Sequence, residues 1–555
     1  MRKLSRLPYL PREAGQIHKI SDYFSDSLNR YRFAAIAAFA VIVTALAWQS
    51  DDAYHAYVMA KHLVEGNGFV YNIGERATAS SCPLFTLIIA GGYFVFRNMF
   101  LVSLLICIVF STLAFGIVIK RFCRNRKQIL MVFAACIGSV SFLSYTTSGL
   151  ENCLLFFLTA LFYEFYYSRD TYTGKQLLYM GLLISLIAMT RMDAVLMFLP
   201  AILYIYLGKR ERVSFFKAVL IGLLSLSPFI LWELFSVFYY GFPVPNTAYV
   251  KLGTDIARTE YLYRGFQYLF TTALCDLPLI AMIVFMLAAA CLIRRARVLA
   301  PAAGVLLYLF YIIYIGGDFM LGRHFTVCFF ISIITCLYIS ENGFDIDFKN
   351  KRFERLSYLT LAVALVFSAT TGLITDQFLY GHENSSPIAD ERAGYFRFTS
   401  LYNNAVSYLR TGKLCIRNAW NEQGINEYRE IGLTAGILQM VPGISIYYNS
   451  DMYLNDWYGL GDPFLSKLPA VKEENWRIGH MWREPPRGYE NTVAYGDNVI
   501  KNEDLKQYYE IIKLITRGRL WDPERIQAII GINLGKYDYL IENYKQTLTP
   551  DGRQQ

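Results

Sequence analysis

Two adjacent carboxylates, Asp51 and Asp52, close the first long apolar run of the chain and lead into His55, Tyr57 and the turn Glu65-Gly66-Asn67-Gly68. Neighbouring carboxylates repel each other, which raises the pKa of one of them toward the range useful to a general base. One member of such a pair can take a proton from a hydroxyl while the other orients a cation or a sugar hydroxyl. The competing role is structural: Asp is a good N-cap for a helix starting near Tyr54. Four further polar segments interrupt apolar sequence: Ser148 to Asn152, Arg191-Met192-Asp193, Pro245 to Lys251, and Gly316 to His324. They supply cations suited to a phosphate in a thinly hydrated place, namely Lys251 and Arg323 first, then Arg191 and His324. Arg191 has an alternative partner in Asp193, and His324 an alternative role as an interface side chain. Glu151, Asp318 and Asn246 can contact sugar hydroxyls. Tyr54, Tyr249 and Trp457 can stack on a sugar ring, although aromatics at membrane mouths commonly form belts. No His/Asp cluster forms a closed metal site, so no metal is expected to be essential, while a divalent cation beside Asp51 and Asp52 stays open.

The elements that must position these groups follow from composition. Of 555 residues, 55% are hydrophobic and 17% charged, against roughly 25% charged in an ordinary soluble domain. Disorder, collagen and a disulfide scaffold are excluded, with 82 Phe and Tyr residues and only ten Cys. Cys415 alone lies in the polar C-terminal third, so that third has no internal disulfide, and no Cys-x-x-Cys pair exists. The net charge of +9 comes from cations that punctuate apolar runs. That pattern speaks for membrane topology and against a nucleic-acid partner.

Eleven runs have the length and apolarity of spans, at 33–49, 100–119, 128–144, 152–167, 176–190, 195–208, 216–238, 278–293, 299–316, 325–340 and 356–375. A twelfth, 83–96, is short, opens with proline and contains Gly91-Gly92. If it crossed, the loop at 120–127 would be external with five cations in eight residues. Read as a re-entrant or surface-lying helix, it leaves that loop and the basic clusters at 169–175, 209–212, 294–297 and 349–355 all on the cytoplasmic side. Such a helix needs protein or a wet cavity to cover its backbone, so it should line a pocket. The basic N-terminal segment 1–32 is then cytoplasmic, the first run is a retained anchor, and all five polar segments share the outer face. They should converge on one cavity, because charges at span ends are costly against lipid. The expected architecture is an α-helical polytopic membrane domain over 33–376, with a mixed helix-and-strand soluble domain over 377–555 on the outer side.

The run DDAYHAYVMAKHLVEGNGFVYNIGERATASSCPLFTLIIA resembles the first outer loop of polyprenyl-phosphate-dependent GT-C glycosyltransferases, in the branch of the mycobacterial terminal arabinofuranosyltransferase. TSGLEN, LIAMTRMDA, YYGFPVPNTAYVKLG, YIGGDFMLGRHF, DWYGLGDPFLSKLPA and WRIGHMWREPPRGYEN carry the likeness onward, from about 30 to 490. The resemblance implies an inverting transfer of a sugar, arabinofuranose foremost, from a polyprenyl-phosphate donor to an extracytoplasmic acceptor, a cell-envelope glycan or an exported protein such as a pilin. It places the enzyme in a bacterial inner membrane and makes Asp51 the base, with Asp52 the runner-up. An acceptor hydroxyl has a very high pKa and needs a carboxylate within reach, whereas a phosphate leaving group needs no strong acid. The chain departs from the pattern at Arg191-Met192-Asp193, where relatives show Arg-Pro-Asp, and at Cys82 and Cys153. A transporter or flippase of a lipid-linked saccharide is the alternative; it predicts matched inverted repeats and polar residues on both sides, and neither is evident. A glycan-binding module over a structural anchor would leave the acid pair dispensable.

Overall fold

The computed structural model describes residues 26–342, 387–418, 423–473 and 476–554. Within them the chain is mostly helical, because apolar runs with few internal breakers satisfy their backbone groups most simply within one segment. The first connection carries α1 (Ser27–Ala45) into α2 (Ala53–Val64) and α3 (Pro83–Phe96). Then come α4 (Met99–Arg121), α5 (Arg126–Gly138), α6 (Val140–Tyr145), α7 (Asn152–Tyr167), α8 (Gly174–Thr190) and α9 (Val195–Gly208). The bundle continues through α10 (Phe215–Ser225), α11 (Ser227–Tyr240), α12 (Asn246–Leu252), α13 (Arg258–Cys275), α14 (Leu277–Ile293), α15 (Ala296–Tyr314) and α16 (Phe325–Glu341). Ten of the eleven apolar runs fall here and are built mainly of helix; 356–375 lies outside the described residues.

Among the described residues three helices, α1, α4 and α15, are long and apolar enough to cross a membrane. Counting the bent pairs α10–α11 (50°) and α13–α14 (109°) as single spans makes five. The apolar helices α3, α8, α9 and α16 are shorter, and 14 residues, as in α3 and α9, reach only about 21 Å of a roughly 30 Å hydrocarbon core. The run 128–144 is not one straight helix: it breaks at Ser139, whose hydroxyl accepts from Phe142 N (3.1 Å) to start α6. The same hydroxyl donates to Asp276 Oδ2 (2.8 Å), which also accepts from Ser141 N (2.8 Å). Asp276 stands in the α13–α14 bend and is fully buried, so two helix breaks meet on one carboxylate.

The basic clusters at 120–127, 169–175, 209–212 and 294–297 gather at one end of the bundle, while 349–355 lies outside the described residues. Tyr172 N donates to Lys209 O and Glu211 N to Tyr172 O, both at 2.8 Å. Arg297 pairs with Asp170, Arg124 with Glu341 (2.9 Å) and Arg121 with Glu164 (3.6 Å). At the opposite end Gln49 Nε2 reaches Phe100 O (3.0 Å) at the start of α4. Cys82 and Pro83, at the start of α3, lie on the wall of the cavity described below. The start of α3 therefore sits at the end away from those loops, and Asn98, just beyond its other end, accepts from Leu101 N (3.1 Å) to cap α4 beside Phe100.

The C-terminal third is also mainly helical: α17 (Glu391–Thr399), α18 (Leu401–Thr411), α19 (Gln423–Glu430), then α20 (Gly443–Tyr448) between β1 (Ala435–Leu438) and β2 (Tyr453–Asp456). It ends in α21 (Tyr489–Tyr495), α22 (Glu503–Arg517), α23 (Pro523–Asn533) and α24 (Asp538–Lys545). The strands pair in parallel, Ala435 opposite Tyr453, and are the whole sheet among the described residues. This region docks on the loop between α2 and α3: buried Glu75 pairs with Arg517 (3.0 Å) and accepts from Tyr453 Oη (2.7 Å). Asn72 exchanges hydrogen bonds with Leu454 (3.1 Å each way).

Candidate functional site

The residues between α1 and α2 are held from several sides. Trp48 Nε1 donates to Ser144 O (2.9 Å) and Ser50 N to Ser148 O (2.8 Å). The Asp51 carboxylate accepts from Gly443 N and Ile444 N, both at 2.9 Å, so each oxygen is committed to the start of α20. Burial pushes its pKa up, opposed by His55 and by those two amides. A Cβ at Gly443 would stand 2.6 Å from the Asp51 carbonyl oxygen, so only glycine allows this approach. Gly443→Ala is expected to cost about 1–3 kcal/mol, read as a lowered melting temperature of the detergent-solubilised protein.

Asp52 is placed differently. It precedes α2 without capping it, and among the described residues its carboxylate makes no hydrogen bond or ion pair. It faces a cavity of about 630 Å³. All five polar segments contribute to that cavity: Asp51 and Asp52; Gly149 to Glu151; Arg191 to Asp193; Pro245, Thr247, Ala248 and Lys251; and Gly317, Phe319, Arg323 and His324. The start of α3 and the C-terminal third complete the wall.

One side of the cavity is a closed charge network. Glu151 binds Arg191 Nη1 (3.0 Å) and Arg323 Nη2 (2.9 Å), and Arg191 grips Asp193 with two nitrogens (3.1 and 2.8 Å). His324 Nε2 pairs with Asp318 (3.1 Å), while its Nδ1 faces Tyr308 Oη (2.9 Å) and Arg191 Nη2 (3.2 Å). Burial would raise the pKa of Glu151, but Arg323 and Arg191 more than reverse it and hold the group ionised. A buried network of this kind is worth little net stability when complete and costs several kcal/mol when one member is removed. Lys251 acts on this network at longer range: burial would raise the pKa of Asp318, and Lys251 leads the charges that reverse it, although among the described residues its ammonium forms no ion pair at contact distance. The last turn of α12 presents it, Arg483 Nη2 holds the preceding carbonyl of Val250 (3.1 Å), and Tyr261 Oη donates to its own carbonyl (2.9 Å). Gly479, at φ +80°, lets the backbone lie against it; a Cβ there would be 3.2 Å from Lys251 Cε.

Asp51, Asp52, Glu151, Arg191, Lys251, Arg323 and His324 thus share one cavity. Five other sequence candidates do not reach its wall. Asp318 is buried behind it, holding His324, and the Asn246 side chain is buried, with its backbone N–H on Thr78 O (3.0 Å). Tyr54 is packed edge-on against Tyr57 and Tyr447, its hydroxyl on Gln49. Tyr249 lies under Lys467 Nζ, 3.4 Å from the ring centroid, and Trp457 stacks on Trp482 at 5.2 Å. Tyr54 is buried outright, while one face each of half-buried Tyr249 and Trp457 is taken by protein.

Sequence reasoning missed the contribution of the C-terminal third. Asp456, Tyr458 and His480 line the cavity, as do His55 and Tyr395. Asp456 and His480 stand inside the quoted runs DWYGLGDPF and WRIGHMW, where only Trp457 was singled out. Glu391 donor contact comes from Ser50 Oγ (3.4 Å), and burial beside Asp52 and Asp51 raises its pKa well above the usual carboxylate value. Burial lifts Asp456 from 3.8 to about 6, against His55 and the amide of Gly459. A raised folded-state pKa stabilises the fold fully below the unfolded value and loses that contribution as pH rises through the folded one. For Asp456→Asn, the melting temperature relative to the parent is therefore expected to rise between about pH 4 and about pH 7; a thermal-shift series across that window measures it. Among the described residues no three His, Cys, Asp or Glu side chains come together as a metal site.

Comparison of the chain with protein-family models, curated proteins and solved structures returns no match.

Proposed function

We propose that the chain is a membrane glycosyltransferase that moves a sugar, arabinofuranose foremost, from a polyprenyl-phosphate donor to an extracytoplasmic glycan or protein. The supporting observation is one cavity that combines a carboxylate, Asp52, and an ammonium, Lys251, neither held in a hydrogen bond or close ion pair among the described residues, with an apolar wall from Phe85, Leu196, Phe229, Trp232, Tyr311 and Ile315. The wall suits a prenyl chain, Lys251 its phosphate, and Asp52 the acceptor hydroxyl. The acceptor oxygen attacks the anomeric carbon, its proton passes to Asp52, and the carbon–oxygen bond to phosphate breaks with its electron pair leaving on polyprenyl phosphate, inverting the centre. The geometry favours Asp52 over Asp51 as base, because backbone amides already occupy both Asp51 oxygens. Glu151 with Arg191 and Arg323 forms the rigid floor that keeps the phosphate end oriented. In this reading the bundle carries eleven spans with α3 lying at the outer surface, the basic loops face the cytoplasm and no metal is required. Arabinofuranose itself rests on the family resemblance. The test is mass spectrometry of lipid-phosphate sugars copurifying with the nanodisc-embedded protein, followed by transfer assays with the lipid found. Absence of any lipid-linked sugar, together with no transfer from a synthetic panel, would overturn the proposal.

A further inference from the structure

Exposed apolar side chains climb α11 at helical spacing: Leu231, Leu234 and Phe235, with Phe238 one turn further on. At the top of this stripe the Trp521 ring packs on Phe238 with centroids 4.7 Å apart, yet Trp521 stays 78% exposed. On α23, just beyond, Ile530 is 55% and Leu534 79% exposed. The opposite side of α23 is bolted to the end of α11. Buried Arg525 donates to Phe238 O (2.8 Å) and Tyr239 O (2.9 Å), and Asn533 Nδ2 to Gly241 O (2.8 Å). The C-terminal third is thereby held against the end of α11, with Trp521 extending the apolar stripe of that helix and two large aliphatics, Ile530 and Leu534, exposed within the next 13 residues of chain.

An apolar face that continues a lipid-facing stripe and carries a tryptophan at its junction has the chemistry of the membrane–water interface. We propose that Trp521, Ile530 and Leu534 form a bilayer-contact face that seats the C-terminal third in the interfacial zone of the outer leaflet, with phospholipid itself as the partner. This rests on reading α11 as membrane-embedded, and it is independent of the sugar transferred. Full-length protein carrying p-benzoylphenylalanine at 234, 521, 534 or 495, one position at a time, is reconstituted in phospholipid nanodiscs and irradiated. Position 495 serves as a control because Tyr495 is equally exposed, at the end of α21. Lipid-mass adducts on peptides containing 234, 521 and 534, with none at 495, are the expected result. Adducts at 234 but none at 521 and 534 would overturn the bilayer-contact face and leave the membrane reading intact. Protein–protein adducts at 521 and 534 would overturn it in favour of a second copy.

Discussion

Asp52→Asn is expected to lower transfer turnover by ~10²–10⁴-fold, the usual worth of a positioned general base, with little change in melting temperature. The reasoning is the contrast between two neighbours. Asp51 gives both oxygens to the amides of Gly443 and Ile444, so removing its charge should loosen α20 and with it the wall that Asp456 and His480 complete. Asp52 supports no such contact among the described residues, so its loss should touch chemistry and not folding. Kinetics and thermal shift on Asp51→Asn and Asp52→Asn, measured side by side, separate the two roles. Full activity in Asp52→Asn with loss in a stably folded Asp51→Asn would return the base to Asp51.

Lys251→Met is expected to lower kcat/KM for the lipid-phosphate donor by ~10²–10³-fold, the scale found when one preorganised charge contact to a developing anion is removed. Arg191 and Arg323 cannot substitute, because Glu151 and Asp193 already hold them. Methionine keeps the length and apolar stem, so the wall formed with Gly479 survives and the loss reports the charge. Lys251→Arg should recover part of the rate, limited by the narrow approach of Gly479. An unchanged donor KM and kcat in the methionine variant would remove phosphate binding from Lys251.

What the sequence made legible and what it hid divide along physical lines. The polar segments interrupting apolar runs were readable, because a charge in such a place must face other polar groups, and their meeting in one cavity follows from that constraint alone. Helix breaks were not. Ser139 and Asp276 lie far apart in sequence, and the break at 139 makes sense only once the carboxylate that caps it is in view. The aromatic candidates failed for a related reason. Tyr54, Tyr249 and Trp457 are apolar enough to be consumed by packing, and nothing in spacing distinguishes a free ring face from a covered one. The commitment of Asp51 to α20 was equally hidden, since it depends on a contact across almost four hundred residues. The C-terminal third was recognisable as a separate texture, but its polar content disguised how much of the cavity it supplies.

That supply has a temporal side. Asp51 emerges early in synthesis and His480 late, 429 residues afterwards by subtraction of their numbers. At ~5–20 residues per second the interval is roughly 20–90 s. The cavity wall assembles stepwise over that interval: Lys251 and Arg323 follow Asp51 by 200 and 272 residues, and His480 comes last. The full cavity wall is present only once the chain has been made as far as His480, so copies truncated before it lack that side of the cavity.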